Sequence, residues 1–533
     1  MHRLTFHLLL PALGVVIAAL MFVPLAAVHV GARSAPPEPL FVAHTALTHS
    51  QVVLSLLPNS KENTSVIAQN NGAAPATVAL DLYTPGGIYI PSASIIDTAV
   101  PVGATRTFAQ AVNSGLVPGF RGVGILSSDQ PVNALLVRDI ESALGQKSYS
   151  IHSSSPAGAS LVTLPYVANA VNGVYNTRIS IANSGTTTAC VTLVYSFVDG
   201  TRSPVTDSGP GGNGCTAGYP VPVGGQVAFA PNTVDGAVAM PSQTTNGLMA
   251  ATVTATGAPV TVAVDAYLSG GPRKLASYDG FVVDTANPAA SDTGTTIAIP
   301  LALKTADGYY SQVLLSNPNA TAAHATITYR DTSGHSYAVP LLVAANGAAT
   351  HSVYSDNVVP VGFVGAATVT ADQPLAAVLF RSKMTTAGSF VDEDLYSAVN
   401  GVPVVRAATS AKLPLIFRRA YRAGSNAGYN TWVSVSVADG GAANLTITAV
   451  NDTQNAAPEC SAPATYTATR TISGSFIFYQ NLDDASANGF GTLPSCFWGG
   501  MTISSDRPII AIANATNDLY AGDNDGTYNA FSP

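Results

Sequence analysis

Short strand patterns fill the chain from about residue 50 to its end. Apolar and polar residues alternate with a period of two in segments such as 177–183 and 431–437, and Gly, Pro, Asn and Asp separate these segments. A period of two places successive side chains on opposite faces of a strand. Many short strands with frequent turn residues are typical of a β-sandwich. The pattern therefore predicts an all-β protein.

The pattern occurs in four copies, which share two turn signatures and a closing aromatic residue. The first strand ends at an asparagine turn in three copies and at Asp439 in the fourth, and a later strand follows an Asp-x-Pro turn in copies one, three and four. Copy two keeps only Gly257-Ala258-Pro259 at that place. The shared residues are Asn70, Asn183 and Asn317, then Asp129, Asp372 and Asp506, and finally Tyr149, Tyr278, Tyr396 and Tyr528.

Linkers rich in Ser, Ala, Thr and Asp set the boundaries between copies. The sequence predicts four tandem Ig-like β-sandwich domains after an N-terminal signal peptide or anchor. They are unit 1 (36–158), unit 2 (159–290), unit 3 (291–408) and unit 4 (409–533). Each is large enough to bury its own core, so we expect a rod or string of four units that fold independently.

The turn motifs resemble those of tandem β-sandwich repeats in secreted and surface-exposed bacterial proteins. In those repeats an Ile-x-x-Asn first strand accompanies a later Pro-x-Gly-Phe-x-Gly and Ser-Asp-Gln-Pro strand. The later motif stands here in two closely related forms, at 117–122 with 128–131 and at 359–365 with 371–374. The resemblance covers most of residues 50–533. It implies the fold and brings no catalytic residues with it.

The N-terminal segment 1–35 has the order of an export signal. Arg3 precedes an uncharged apolar run at 8–28, and small residues with Pro36-Pro37 follow. The run is also long enough to span a bilayer, so cleavage and retention as an anchor both remain open. Either outcome predicts a secreted or cell-surface protein that contacts membrane only through this segment, if it is uncleaved.

Charge excludes one class of partner. Asp, Glu, Lys and Arg make up 10% of the chain, against about 25% in typical globular proteins, and the net charge is −8. No cluster of Lys and Arg occurs, so nucleic acid is not an expected partner. With 47% hydrophobic residues, the chain is too apolar to be disordered.

Four cysteines fall two to unit 2 and two to unit 4. Disulfides are the default in an exported chain, and a bridge needs Cα atoms within about 7 Å. Because unit 3 separates the two pairs, we predict that Cys190 bonds to Cys215 and Cys460 to Cys496.

Acidic and aromatic residues in the last two units are the candidates for binding. Oxygen ligands at short spacing suit Ca²⁺, which makes Asp518, Asp523 and Asp525 candidate ligands, although solvated hairpin turns are the alternative. No other cofactor is predicted. Trp432 and Trp498 are candidates for stacking against sugar rings, with core packing as the alternative.

The sequence carries no GxSxG, GxxxxGK or HExxH motif, and the shared residues are turn formers. We therefore predict no catalytic residues and no enzyme activity. The predicted function is that of an exported surface protein, structural or adhesive, whose partner is a cell-envelope component, a glycan or another surface protein. The alternative is a secreted carbohydrate-binding protein or hydrolase accessory with its site in unit 3 or unit 4.

Overall fold

The computed structural model shows an all-β protein. It describes residues 50–54, 61–117, 119–141, 147–153, 158–198, 200, 202–232, 236–268, 274–306, 308–384, 393–420, 428–454, 462, 464–479, 493–517, 522–523 and 525–532. The N-terminal segment 1–35 lies outside these residues, so its role as a signal peptide or anchor stays a prediction. In the described part of the chain, no helix is both long and apolar enough to cross a membrane. Four single-turn 3₁₀ helices occur there, at Pro91–Ala93, Gln110–Val112, Ser242–Thr244 and Val404–Arg406.

Units 1 and 2 each contain two sheets that face each other. Strand order is β1-β6-β3-β4 and β8-β7-β2-β5 in unit 1. It is β15-β14-β10-β17-β18 and β12-β11-β16-β9-β19 in unit 2, where β13 also pairs with β11. The strands of unit 1 are β1 (Ser50–Leu54), β2 (Lys61–Asn70), β3 (Ala76–Tyr83), β4 (Ile95–Val100), β5 (Thr105–Ala109), β6 (Gly122–Ser128), β7 (Val132–Glu141) and β8 (Lys147–Ser153). Those of unit 2 are β9 (Leu161–Asn169), β10 (Tyr175–Asn183), β11 (Ala189–Phe197), β12 (Val205–Asp207), β13 (Tyr219–Val221), β14 (Gln226–Ala230), β15 (Val238–Ala239), β16 (Gly247–Thr256), β17 (Val260–Leu268), β18 (Leu275–Asp279) and β19 (Phe281–Val282).

Units 3 and 4 have the same two layers, joined by one long strand in each. The first half of β25 pairs with β20 and β22 and its second half with β21 and β26, and β33 does the same in unit 4 with β28 and β30, then β29 and β35. The strands of unit 3 are β20 (Gly294–Ala306), β21 (Tyr309–Ser316), β22 (Ala323–Asp331), β23 (Ser336–Val343), β24 (Ala348–Ser352), β25 (Phe363–Met384), β26 (Glu393–Asn400) and β27 (Val402–Pro403). Those of unit 4 are β28 (Ala408–Arg418), β29 (Tyr429–Val437), β30 (Ala442–Asn451), β31 (Thr465–Ser473), β32 (Ser475–Tyr479), β33 (Phe497–Asn517), β34 (Gly522–Asp523) and β35 (Asp525–Asn529).

The Asp-x-Pro signature marks the place where a strand passes from one sheet to the other. The aspartate Oδ1 accepts a backbone N–H of the neighbouring strand in three units: Asp129 from Thr77 at 2.7 Å, Asp372 from His324 at 2.8 Å, and Asp506 from Asn444 at 2.8 Å. In units 3 and 4 the signature lies inside β25 and β33. There it is a crossover within a continuous strand and not the tight turn that the sequence suggests.

The asparagine signature is a buried turn lock. The side-chain amide of Asn183 donates to the carbonyl oxygens of Thr187 at 2.7 Å and Val221 at 2.9 Å, and its Oδ1 accepts from the N–H of Gly185 at 2.8 Å. Asn70 and Asn317 make the same three kinds of bond in units 1 and 3. One side chain therefore satisfies three backbone groups that the turn would otherwise bury unpaired.

Replacing Asn183 with alanine should lower the free energy of unfolding by about 2–4 kcal/mol, because two carbonyls and one N–H lose their partner in a buried place. Urea denaturation measures this loss. The matched control is Asp439→Ala, since Asp439 stands at the corresponding turn of unit 4 but is exposed and binds only the N–H of Gly441 and the Arg507 side chain. The control should change stability by less than about 1 kcal/mol. Equal losses in both variants would contradict the role of the buried amide.

The four units meet at a central junction made of β8, β18, β26 and β35, one strand from each unit. β8 lies against β18 and β35, and β26 lies against the same two strands. The main-chain pairing of Gly522–Asp523 with Lys147–Ser148 adds β34 of unit 4 to a sheet of unit 1. Unit 4 thus returns to unit 1, and the expected rod or string is wrong.

Apolar outer sheet faces explain why the units close on each other. Ile67, Leu135 and Val137 of unit 1 pack into the core of unit 4. Val378 and Phe380 of unit 3 pack in the same way into the core of unit 2. A rod would leave these faces in water at a cost of about 25 cal/mol for each Å² of apolar surface.

An approximate two-fold repetition relates units 1 and 2 to units 3 and 4. The closing Tyr278 of unit 2 donates its hydroxyl to the carbonyl oxygen of Tyr166 at 2.5 Å, and Tyr528 of unit 4 donates to that of Leu415 at 2.6 Å. Tyr166 and Leu415 hold the same place after the Leu-Pro steps of their units. Unit 1 therefore corresponds to unit 3, and unit 2 to unit 4.

Candidate functional site

A buried ionic cluster joins unit 1 to unit 2 at the junction. The Nη1 atom of Arg138 lies 2.6 Å from Oδ2 of Asp265, and Nε2 of His152 lies 3.0 Å from its Oδ1. Ser277 donates its hydroxyl to the same Oδ1 at 2.8 Å, and Nδ1 of His152 lies 3.5 Å from Oδ1 of Asp279. Arg138, His152 and Asp265 are all buried, so the carboxylate must be ionised to balance the cations around it.

The charges of this cluster shift one another's titration. Burial opposes ionisation of Asp265, but the Arg138 guanidinium and the His152 hydrogen bond hold the pKa of the Asp265 carboxyl well below its usual range. Burial likewise opposes protonation of His152, yet the hydrogen bond to Asp265 and the nearby Asp279 carboxylate raise the pKa of His152 to about 9. The junction is therefore most stable with His152 as a cation.

We expect the protein to lose stability as the pH rises through 9. His152 has an ordinary pKa of about 6.5 when unfolded and about 9 when folded, so its contribution is complete below pH 6.5 and disappears above pH 9. The shift corresponds to roughly 3 kcal/mol. Urea denaturation at pH 6 and pH 10 measures it. The difference should shrink in His152→Gln, and a His152→Gln variant with the full difference would contradict the assignment.

A second buried cluster joins unit 3 to unit 4 at the two-fold equivalent place. Arg381 lies 2.5 Å from Oδ2 of Asp525 and also donates to Ser397 and Asn514. Its guanidinium carbon lies 4.9 Å from the centre of the Trp432 ring. Trp432 is half-buried at this contact, so it serves here as a packing partner for a cation.

The two clusters use equivalent positions with different residues. Arg138 lies opposite Ser150 and Arg381 lies opposite Ser397 in their sheets. Asp265 corresponds to Asn514 by the same pairing, since they face Ser277 and Thr527. The second cluster takes its negative charge from Asp525 on β35 instead. Each half of the molecule thus holds a buried arginine against one carboxylate supplied by the next unit.

Two of the three acidic residues proposed as Ca²⁺ ligands, Asp523 and Asp525, lie in the junction. Oδ2 of Asp523 accepts the N–H of Leu275 at 2.8 Å and Oδ1 accepts that of Tyr396 at 2.9 Å, which ties unit 4 to units 2 and 3. Burial raises the pKa of Asp523. Asp523 and Asp525 are both buried, so the alternative of a solvated hairpin turn is wrong for them.

Asp518, the third proposed ligand, lies outside the described residues. Within those residues, no group of three or more His, Cys, Asp and Glu could hold a metal ion. The Ca²⁺ assignment stays a prediction.

Sequence reasoning missed Arg138, Asp265 and Arg381, although a signal for them exists. Each follows an apolar strand segment, at 134–137, 262–264 and 376–380, in a chain that has few charged residues. These charged side chains stand at the same place in successive copies, next to residues buried on both faces. This position indicates that each charge is buried against an opposite charge and not exposed to solvent.

The second tryptophan borders a cavity between unit 1 and unit 4. The cavity has a volume of about 80 Å³. Trp498 meets Phe417 edge to face with ring centres 4.8 Å apart, and Tyr429 lies 5.2 Å from Phe417. The walls of the cavity are formed by Asn63, Ser65, Ile67, Thr107, Val137, Asp139 and Tyr149 of unit 1 and Phe417, Tyr429 and Trp498 of unit 4. Trp498, one of the two tryptophans proposed for stacking, therefore lies beside a cavity.

The predicted bond between Cys190 and Cys215 is present, with Cα atoms 5.6 Å apart. It links β11 to the loop before β13 on the outer sheet of unit 2. Cys496 is also disulfide-bonded. Its predicted partner Cys460 lies outside the described residues, so that pairing stays a prediction, which non-reducing peptide mapping tests.

Comparison with known proteins adds little to this picture. No family model matches the chain, and no curated protein matches it. A solved structure from Thermotoga maritima, protein 1070, is 10% identical with a TM-score of 0.18 and covers 21% of this chain and 94% of that one. A partial N-terminal region of an enterococcal surface protein is 8% identical, with a TM-score of 0.16 and coverage of 74% and 89%.

A tetra-tandem repeat from the extending region of a large adhesion protein is 13% identical, with a TM-score of 0.10 and coverage of 91% and 99%. Similarity at these TM-scores carries no argument about function. The function has to be argued from the chain itself.

Proposed function

We propose that this chain is an exported, non-catalytic protein of the cell surface or the secreted fraction, with a structural or adhesive role. The observation that carries the proposal is the position of the buried charged side chains, which pair with each other at contacts between units. Arg138 pairs with Asp265 between units 1 and 2, and Arg381 pairs with Asp525 between units 3 and 4. Charged groups that are used in contacts between units indicate a protein that acts through its shape and surface.

Two further features support export. The disulfide between Cys190 and Cys215 suits an oxidising compartment, because thiols are kept reduced in the cytosol. The segment 1–35 carries the order of an export signal. A closed body with few charges and repeated buried turn locks also suits a protein exposed to an environment that the cell does not control.

Mass spectrometry and fractionation of cells that make the full chain test the proposal. We expect the chain in the surface or culture fraction with Cys190 and Cys215 oxidised, and either an N-terminus at about residues 29–36 or an intact Met1 in the membrane. Protease added to whole cells should digest it. A cytoplasmic full-length chain with free thiols would overturn export. Reproducible hydrolysis of a glycan, ester or peptide, lost on changing one polar residue, would overturn the non-catalytic role.

A further inference from the structure

We propose that the cavity between unit 1 and unit 4 binds a neutral sugar ring at the end of a glycan. The proposal rests on the adhesive role above, for which it supplies a ligand. The cavity lies where two units meet, which is a common place for ligand sites.

The two sides of the cavity have different chemistry. Unit 4 contributes the aromatic rings of Phe417, Tyr429 and Trp498, whereas unit 1 contributes the amide of Asn63 and several oxygen-bearing side chains. A sugar ring has apolar C–H faces and a rim of hydroxyl groups. Aromatic rings suit the C–H groups, and amide, hydroxyl and carboxylate groups suit the rim.

One wall residue has a hydrogen-bonding group that the protein itself does not use. The hydroxyl of Thr107 is buried and has no hydrogen-bond partner among the described residues. At the two-fold equivalent place the hydroxyl of Thr350 has a partner, the side-chain amide of Gln312 at 2.9 Å, whereas unit 1 has Ser65 where unit 3 has Gln312. A buried hydroxyl without a partner is costly. A rotation of the Thr107 side chain that turned this oxygen into the cavity would let a ligand hydroxyl supply one.

Size and charge narrow the ligand. About 80 Å³ is close to half of the roughly 150 Å³ that holds benzene in an engineered protein cavity. A ring can therefore insert one edge while the rest of a glycan stays outside. The described residues that form the walls include no Lys, Arg or His side chain that would pair with the carboxylate of an acidic sugar, so a neutral sugar fits the cavity better.

The two-fold repetition identifies the residues that differ between this cavity and the equivalent place between units 2 and 3. Val137 of unit 1 corresponds to Phe380 of unit 3, because each precedes the junction arginine. The Phe380 ring lies 4.5 Å from that of Tyr166 and 5.3 Å from that of Tyr396, so it occupies the contact between units 2 and 3. Trp498 corresponds to Leu248 of unit 2, since they pair with Phe417 and Ala168 at the same place in β28 and β9.

The test is titration of the purified full chain with N-acetylglucosamine, galactose, mannose and glucose, followed by saturation-transfer NMR and by fluorescence. Replacing Trp432 with phenylalanine leaves Trp498 as the sole tryptophan, so that its emission reports the cavity alone. We expect saturable binding of at least one neutral sugar with a dissociation constant of order 1 mM and a change in Trp498 emission. Glucuronic acid should bind at least tenfold more weakly.

Two variants built from the two-fold equivalents locate the site. Val137→Phe should fill the cavity, and Trp498→Leu should remove its aromatic wall. Each should weaken binding at least tenfold. If Val137→Phe fails to fold, Trp498→Leu still decides whether the sugar binds in the cavity.

Three outcomes would overturn the proposal. They are no saturable binding of any neutral sugar, binding that leaves Trp498 emission unchanged, and binding that survives in Trp498→Leu. None of them would affect export or the non-catalytic role, which the fractionation and hydrolysis experiments decide separately.

Discussion

Replacing Asp265 with asparagine should lower the free energy of unfolding by about 3–5 kcal/mol. Asparagine keeps the shape of the side chain and its ability to accept from Ser277, so the change removes the charge and replaces one acceptor oxygen with an NH2 donor. Arg138 and His152 would then be buried together without the carboxylate that lies 2.6 and 3.0 Å from them. Removing one partner of a buried ionic group usually costs this much, because the remaining charge is left uncompensated.

Urea denaturation followed by circular dichroism measures the loss, and NMR titration of His152 gives a second readout. The pKa of His152 should fall from about 9, since its main partner would be neutral. The matched control is Asp292→Asn, because Asp292 pairs with Arg406 within unit 3 and both side chains are partly open to solvent. That control should cost less than about 1 kcal/mol. A loss of the same small size for Asp265→Asn would show that the junction charge contributes little.

The strands and their turn locks could be predicted from the sequence because they depend on local chemistry. Asn70, Asn183 and Asn317 each bond to backbone groups a few residues away, and one bond in each set runs to a neighbouring strand. Alternation along 431–437 likewise needs only the period of a strand. Such features appear in the order of residues without knowledge of the tertiary contacts.

Closure of the four units could not be predicted by treating each copy as a separate sandwich. The evidence was present in segments 134–137 and 376–380, which are apolar without interruption. Continuous apolar runs indicate burial on both faces of a strand, and a single sandwich covers only one. The partner of the second face came from a different copy far along the chain, and no local pattern names it.

The candidate sites could also be predicted from the sequence only in part. Trp498 could be proposed from its residue type, but the cavity beside it depends on Val137, which is unremarkable in sequence. Asp523 and Asp525 suggested a solvated loop because Asp and Gly are common in turns. Their burial results from the closure of unit 4 onto the other three units.

Replacing Arg381 with methionine should also destabilise the protein by about 3–5 kcal/mol. Methionine keeps much of the apolar bulk that packs beside Trp432, but Asp525 would remain buried with no cation at 2.5 Å. Asp525 is fully buried, so water cannot replace the guanidinium. Thermal unfolding, together with the urea midpoint, measures the effect.

A double-mutant cycle separates the charge from the packing. Asp525→Asn alone leaves Arg381 unpaired and should cost a similar amount, whereas Arg381→Met with Asp525→Asn removes both charges together. The double variant should be more stable than the sum of the single losses implies, by about 2–3 kcal/mol, because replacing a whole buried ion pair with neutral groups is far less costly than breaking it. Strict additivity would mean that the two groups do not act as a pair, and the second cluster would then be held by Trp432 packing and the neutral hydrogen bonds to Ser397 and Asn514.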